Sequence, residues 1–157
     1  MNPKKFANKF EDFRFELHKE VQPAERFLQR RAGDCDDYAV LADFILPARG
    51  YETRLIHIRL AGTIAHAVCY VTEDKVYLDY NKRNVFFTLT KSDPSLRAIA
   101  TKVADSLGTN WTSVSEFVYS YDHDYKTITA TVVRTDDPAL DPPPTKAPPP
   151  SNAFNID

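Results

Sequence analysis

An α+β domain, with helices first and a mostly antiparallel sheet after them, is the fold class that three features of the sequence predict. Before residue 50 apolar residues recur at helical spacing. After Gly50 they alternate with a period of two, and the breaks between the alternating runs are only two to four residues long. Connections that short join antiparallel neighbours and leave no room for a crossover helix.

Phe6, Phe10, Phe13 and Leu17 recur at helical spacing, which predicts an amphipathic helix over residues 4 to 19, although Phe13 to Leu17 also alternates as a strand would. Pro23, at a tolerated first-turn position, opens a short helix from Ala24 to Arg31. Asp34 is placed to cap a third helix whose apolar face includes Tyr38, Leu41, Ala42 and Ile45. Gly50 suits its termination, and Pro47 shortens or bends its last turn. Strands are then expected over Glu52 to Leu60, Ala65 to Thr72, Lys75 to Tyr80 and Val85 to Thr90. Asp93-Pro94 starts a helix with Leu96, Ile99, Val103 and Leu107 on one face and Gly108 at its end. Two strands follow, Ser113 to Tyr121 and Thr127 to Arg134.

From Asp136 the composition changes abruptly, because seven of the eleven prolines lie between Pro138 and Pro150. Such a stretch favours extended polyproline II and buries no core, so residues 1–135 are expected to form the domain and residues 136–157 a Pro-rich flexible tail. The tail is a linker, a solvated end, or a ligand for a polyproline-reading partner.

The chain has 157 residues, 43% of them hydrophobic, enough for an ordinary core. A net charge of −2, from 20 basic and 22 acidic residues, creates no field for polyanions, so nucleic acid is not an expected partner. No apolar run reaches the length of a membrane span, and no apolar segment follows the basic start Met1 to Phe6. A cytoplasmic location is the expectation from the sequence as written.

The chemistry gathers around Gly33-Asp34-Cys35-Asp36-Asp37-Tyr38-Ala39, where a cysteine stands at the start of the third helix. The positive end of the helix dipole and its unpaired N–H groups favour the thiolate, the form that attacks carbonyl carbon. His66 opens the run Ala65 to Val71, and Asp79 sits in Val76-Tyr77-Leu78-Asp79-Tyr80. Cysteine, histidine and aspartate in that order suit a nucleophile, a general base and an orienting carboxylate. Asn81, two residues beyond Asp79 on the same strand face, is the nearest substitute for it. His57, His18 and His123 have no comparable cue.

The Gly-Asp-Cys-Asp-Asp-Tyr-Ala block, the apolar helix to Gly50-Tyr51, His-Ala-Val and Leu-Asp-Tyr together resemble the bacterial transglutaminase-like cysteine proteinases, of the papain-like superfamily. The resemblance covers about residues 20 to 90 and rests mainly on the seven-residue block. It implies a papain-like fold with Cys35 at a helix start facing His66 and Asp79 on strands. It also implies acyl transfer on a protein or peptide substrate, with hydrolysis favoured over amine transfer or deamidation of glutamine side chains. A binding or assembly module on the same fold is the non-catalytic alternative. Many such relatives are exported, so a trimmed chain fits that compartment as well.

Acyl transfer needs donors for an oxyanion. The Cys35 backbone N–H is one, and papain-like enzymes add a side-chain donor from upstream, for which Gln22 is preferred over Gln29. Asp34, Asp36 and Asp37 oppose the thiolate by like charge, although Asp34 is occupied as cap and the other two favour the helix start. Their oxygens also suit a hard cation, and some relatives bind calcium beside the nucleophile. Calcium at Asp34, Asp36 and Asp37 is therefore the one cofactor candidate, with none required. Zinc lacks a ligand set, and no Gly-rich phosphate loop implies a nucleotide.

Cys69 is read as a small buried hydrophobe. If His66 faces Cys35, strict alternation sends Cys69 to the opposite face.

Overall fold

A computed structural model describes residues 1–62, 64–81 and 88–134 of the chain. The element order is α1 (Pro3–Asn8), β1 (Arg14–Phe15), α2 (Ala24–Arg30), β2 (Ala32–Gly33), α3 (Cys35–Ile45), a 3₁₀ turn (Leu46–Arg49), β3 (Thr53–Leu60), β4 (Ala65–Val71), β5 (Val76–Asp79), β6 (Thr88–Lys91), α4 (Leu96–Ser106), β7 (Trp111–Ser120) and β8 (Tyr125–Val133). The fold is α+β. Six strands in the order β6-β5-β4-β3-β7-β8 form one sheet in which every pair is antiparallel.

Alternation along the strands sorts two cores. Leu55 of β3, Ala67, Cys69 and Val71 of β4, and Val76 and Leu78 of β5 join Phe6, Phe10, Phe27, Tyr38 and Leu41 beneath α1, α2 and α3. Their neighbours in sequence, Ile56, Ile58, Val68, Tyr70 and Tyr77, join Ile99, Ala100 and Val103 of α4 with Trp111 and Val114 of β7. Successive residues of a strand point to opposite faces, so one sheet carries both cores.

The first helix is much shorter than its spacing predicts. It stops at Asn8, and the chain turns so that Arg14–Phe15 lies parallel to Ala32–Gly33. Aromatic packing accompanies the break: Phe10 meets Phe13, Phe27 and Tyr38 at centroid distances of 4.6, 5.7 and 5.1 Å, and Phe13 also packs on Phe27 at 5.3 Å. Leu17, expected in the apolar stripe, is 62% exposed. Pro47 falls in the 3₁₀ turn that tightens the end of α3, and Gly50 closes it with φ of +94°, a left-handed conformation that glycine adopts without steric cost. The expected strand from Val85 and the Pro-rich tail from residue 136 fall wholly or partly outside the described residues. Among those described, no helix is long and apolar enough to cross a membrane.

Candidate active site

The start of α3 is built by short-range chemistry. Asp34 is the N-cap: its Oδ1 accepts the Asp37 N–H at 3.2 Å, and Asp37 Oδ2 accepts the Asp34 N–H at 3.0 Å, a reciprocal capping box. The preceding loop reinforces it. Asp34 Oδ2 accepts the His18 N–H at 2.9 Å, and Asp37 accepts the Gln22 N–H at 2.7 Å and the Gln22 Nε2–H at 2.9 Å. Gly33 is required for this approach, since a Cβ there would lie 2.6 Å from both Asp37 Oδ2 and the Phe27 ring. Asp36 turns the other way and accepts from Lys126 Nζ of β8 at 2.8 Å.

Cys35, the first residue of α3, is buried with 6% exposure, and its thiol hydrogen-bonds the His66 imidazole. His66 Nε2 pairs with Asp79 Oδ1. That leaves Nδ1 as the ring nitrogen free to serve Cys35. The structure therefore brings the three sequence-predicted residues into one chain of contacts. His66 and Asp79 share sequence parity with Val68, Tyr70 and Tyr77, residues that pack on the face away from α3. The ladder between β4 and β5 ends at Cys69↔Leu78, however, so His66 and Asp79 lie beyond its last pair. His66 remains paired with Ile58 of β3 and Asp79 with Thr88 of β6, and Cys35 meets His66 from the start of α3. The same geometry corrects the reading of Cys69, which lies in the α3-side core together with Cys35 rather than on the opposite face. Both cysteines are free thiols.

Electrostatics run against a ready thiolate. Burial pushes the Cys35 thiol up; the His66 charge and hydrogen bond pull it back down, while Asp36 and Asp34 add to the rise. Burial alone would lower His66, but the Asp79 carboxylate and Cys35 outweigh it and hold the imidazole well above its ordinary value. Both shifts favour the protonated forms, a thiol at Cys35 and an imidazolium at His66. Asp34 is raised to about 8 by burial and by the neighbouring Asp37 and Asp36 charges.

Two other site expectations meet a different arrangement. Both amide hydrogens of Gln22 are engaged, by the Ala32 carbonyl and by Asp37 Oδ2, so Gln22 has none to offer an oxyanion; it acts instead as a brace for the helix start. Asp34, Asp36 and Asp37 do not converge on a cation. Two close the capping box, the third faces an ammonium, and among the described residues no group of three or more His, Cys, Asp or Glu side chains could hold a metal ion. The donor set does not fit calcium. Asn81 is buried near Asp79, but Asp79 makes the contact with His66. Sequence reasoning missed Lys126 because it is 90 residues from Asp36, and no local pattern signals such a partner.

Residues 3–91 match a family model described as a transglutaminase-like domain, more than half of the chain and inclusive of Cys35, His66 and Asp79. No curated protein matches the chain.

Proposed function

The chain belongs to the transglutaminase-like domain family, and on that premise we propose that it catalyses thiol-mediated acyl transfer on amide bonds of a protein or peptide, most simply as a cysteine peptidase. The observation that carries this reading is the continuous contact from Cys35 through His66 to Asp79 at the start of a helix.

In the proposed reaction, loss of one proton from the resting pair leaves the Cys35 thiolate beside the His66 imidazolium. Sγ attacks the amide carbonyl carbon, and the oxyanion that forms is met by the Cys35 backbone N–H, one of the first four amides of α3 that have no intrahelical carbonyl. The tetrahedral species collapses, the C–N bond breaks, and His66 delivers its proton to the leaving amine. Water, deprotonated by His66, then attacks the thioester and releases a carboxylic acid with the free thiol; an amine in place of water gives a new amide. Asp79 holds the ring in orientation and stabilises its charge throughout. The shallow exposure of Cys35 and the engaged Gln22 amide favour a second reading, a binding module on the same fold.

Iodoacetamide labelling of Cys35, followed by mass spectrometry from pH 6 to 10 in the native protein and in His66→Ala, separates the two. Under the enzymatic reading the midpoint lies on the alkaline side of an ordinary thiol, and His66→Ala, by removing the cation beside the thiolate, slows labelling about 10-fold or more at fixed pH. Identical profiles would leave the binding module standing. Incubating the protein with casein and a fluorescent primary amine then distinguishes outcomes: new peptide termini mark hydrolysis, and incorporated fluorophore marks transfer.

A further inference from the structure

The residues matched to the family end at Lys91, yet α4, β7 and β8 lie beyond them, and β8 supplies a charge to the site. We infer that Lys126 is a positioning residue of the Cys35 site, reaching from β8 to hold and neutralise the Asp36 carboxylate beside the nucleophile. The inference rests on the reading of Cys35 as nucleophile.

Lys126 Nζ stands 2.8 Å from Asp36 Oδ2, with only 12% and 5% of the two side chains exposed. The ammonium also lies over the buried Phe117 ring, 5.6 Å from its centroid, so its position is set by packing as well as by charge. The other carboxylate oxygen, Asp36 Oδ1, is buried with no hydrogen-bond partner among the described residues. Lys126 therefore gives the Asp36 carboxylate its largest compensation, with the His66 charge adding to it. A buried ion pair adds little to stability against a well-packed apolar pair, because desolvation offsets its attraction. Its location next in sequence to Cys35 gives it a different consequence.

A carboxylate at Asp36 opposes the Cys35 thiolate by like charge, and an ammonium held on that carboxylate offsets part of the opposition. The remaining groups around the pair are accounted for. Asp34 and Asp37 of α3 are tied into the capping box, and the Tyr119 hydroxyl of β7 donates to Asp124 at 2.6 Å. His57 of β3 is buried and lowered, first by burial and then by the Lys126 charge, and so brings no second cation. His66 of β4 and Asp79 of β5 are paired with each other. Lys126 acts through Asp36, without touching the reacting atoms.

The test is the pH profile of Cys35 labelling by iodoacetamide in the full chain and in K126M, K126R, D36N and the double variant D36N/K126M. K126M is expected to move the midpoint up by about one pH unit and K126R to restore it, while D36N moves it down by a similar amount and the double variant returns it towards the native value. If K126M does not fold, the comparison of D36N with D36N/K126M reads the same charge. Midpoints all within about 0.3 of the native one, or K126M and D36N moving in the same direction, would overturn the inference. His66→Ala in parallel keeps the two questions apart: unchanged labelling there defeats the nucleophile reading, whereas a His66 effect without a Lys126 effect defeats only this one.

Discussion

The two faces of the sheet are built on different terms. Beneath α4 the packed residues are apolar or aromatic, Ile56, Ile58, Val68, Tyr70 and Tyr77 against Ile99, Ala100 and Val103, and packing dominates there, with the Tyr70 hydroxyl donating to the Ser92 carbonyl at 2.7 Å. The α3 side combines its apolar core with buried Asp34, Asp36, Asp37, Gln22 and His57, most of them drawn into hydrogen bonds or ion pairs at one helix start. The lesson is that the reactive side is held by a polar network whose members depend on one another, and the opposite side mainly by volume.

The largest effect should come from the apolar face and leave the chemistry alone. Ile99→Ala on α4 is expected to cost about 2–5 kcal/mol in urea unfolding while the pH profile of Cys35 labelling stays as it was. A coupled change in that profile would break the separation of the faces. On the reactive side, Gly33→Ala forces a Cβ against Asp37 and Phe27, with an expected cost of about 1–3 kcal/mol. There the labelling profile should shift as well, because the capping box must move.

A smaller effect sharpens the contrast through pH. Asp34 binds its proton up to about 8 when folded, against 3.8 in an unconstrained chain. Between those values the folded state holds a proton that the unfolded state has lost, so this group's contribution to stability is fully present below about 4 and declines as pH rises through about 8. Melting temperature measured across that window should fall more steeply for the native protein than for Asp34→Asn; parallel curves would show that Asp34 ionises normally. Phe44→Ser is the smallest case. Phe44 is 63% exposed despite its ring contact with Tyr121, and its replacement should change stability by no more than about 0.5 kcal/mol in the same urea titration.

Much of this was readable before the fold was known. Asp34 as cap, Cys35 as first helical residue, β4 and β5 as adjacent strands carrying His66 and Asp79, and the apolar face of α4 are all local patterns of period, cap and turn. The failures have a common cause. The helix expected over residues 4 to 19 ended at Asn8, and Phe10 and Phe13 pack on Phe27 and Tyr38, residues that the local spacing does not include. Alternation counted from a His66 that faces Cys35 places Cys69 on the opposite face, whereas the folded chain packs both cysteines in the α3-side core. Gln22 looked available for an oxyanion because nothing in the sequence shows that Ala32 and Asp37 have already claimed its hydrogens.

By itself, then, the sequence determined the class of fold, the order of elements and the three residues of the candidate triad, since each follows from patterns of neighbouring residues and from motif chemistry. Only the tertiary structure decided which side of the sheet the helices cover and how deeply Cys35 is buried. It alone joined Lys126 to Asp36 and β7 to β3 across long stretches of chain. The physical reason is range: caps, turns and periods act over a few residues, whereas burial, like-charge opposition and ion pairing depend on groups that only the folded chain brings together.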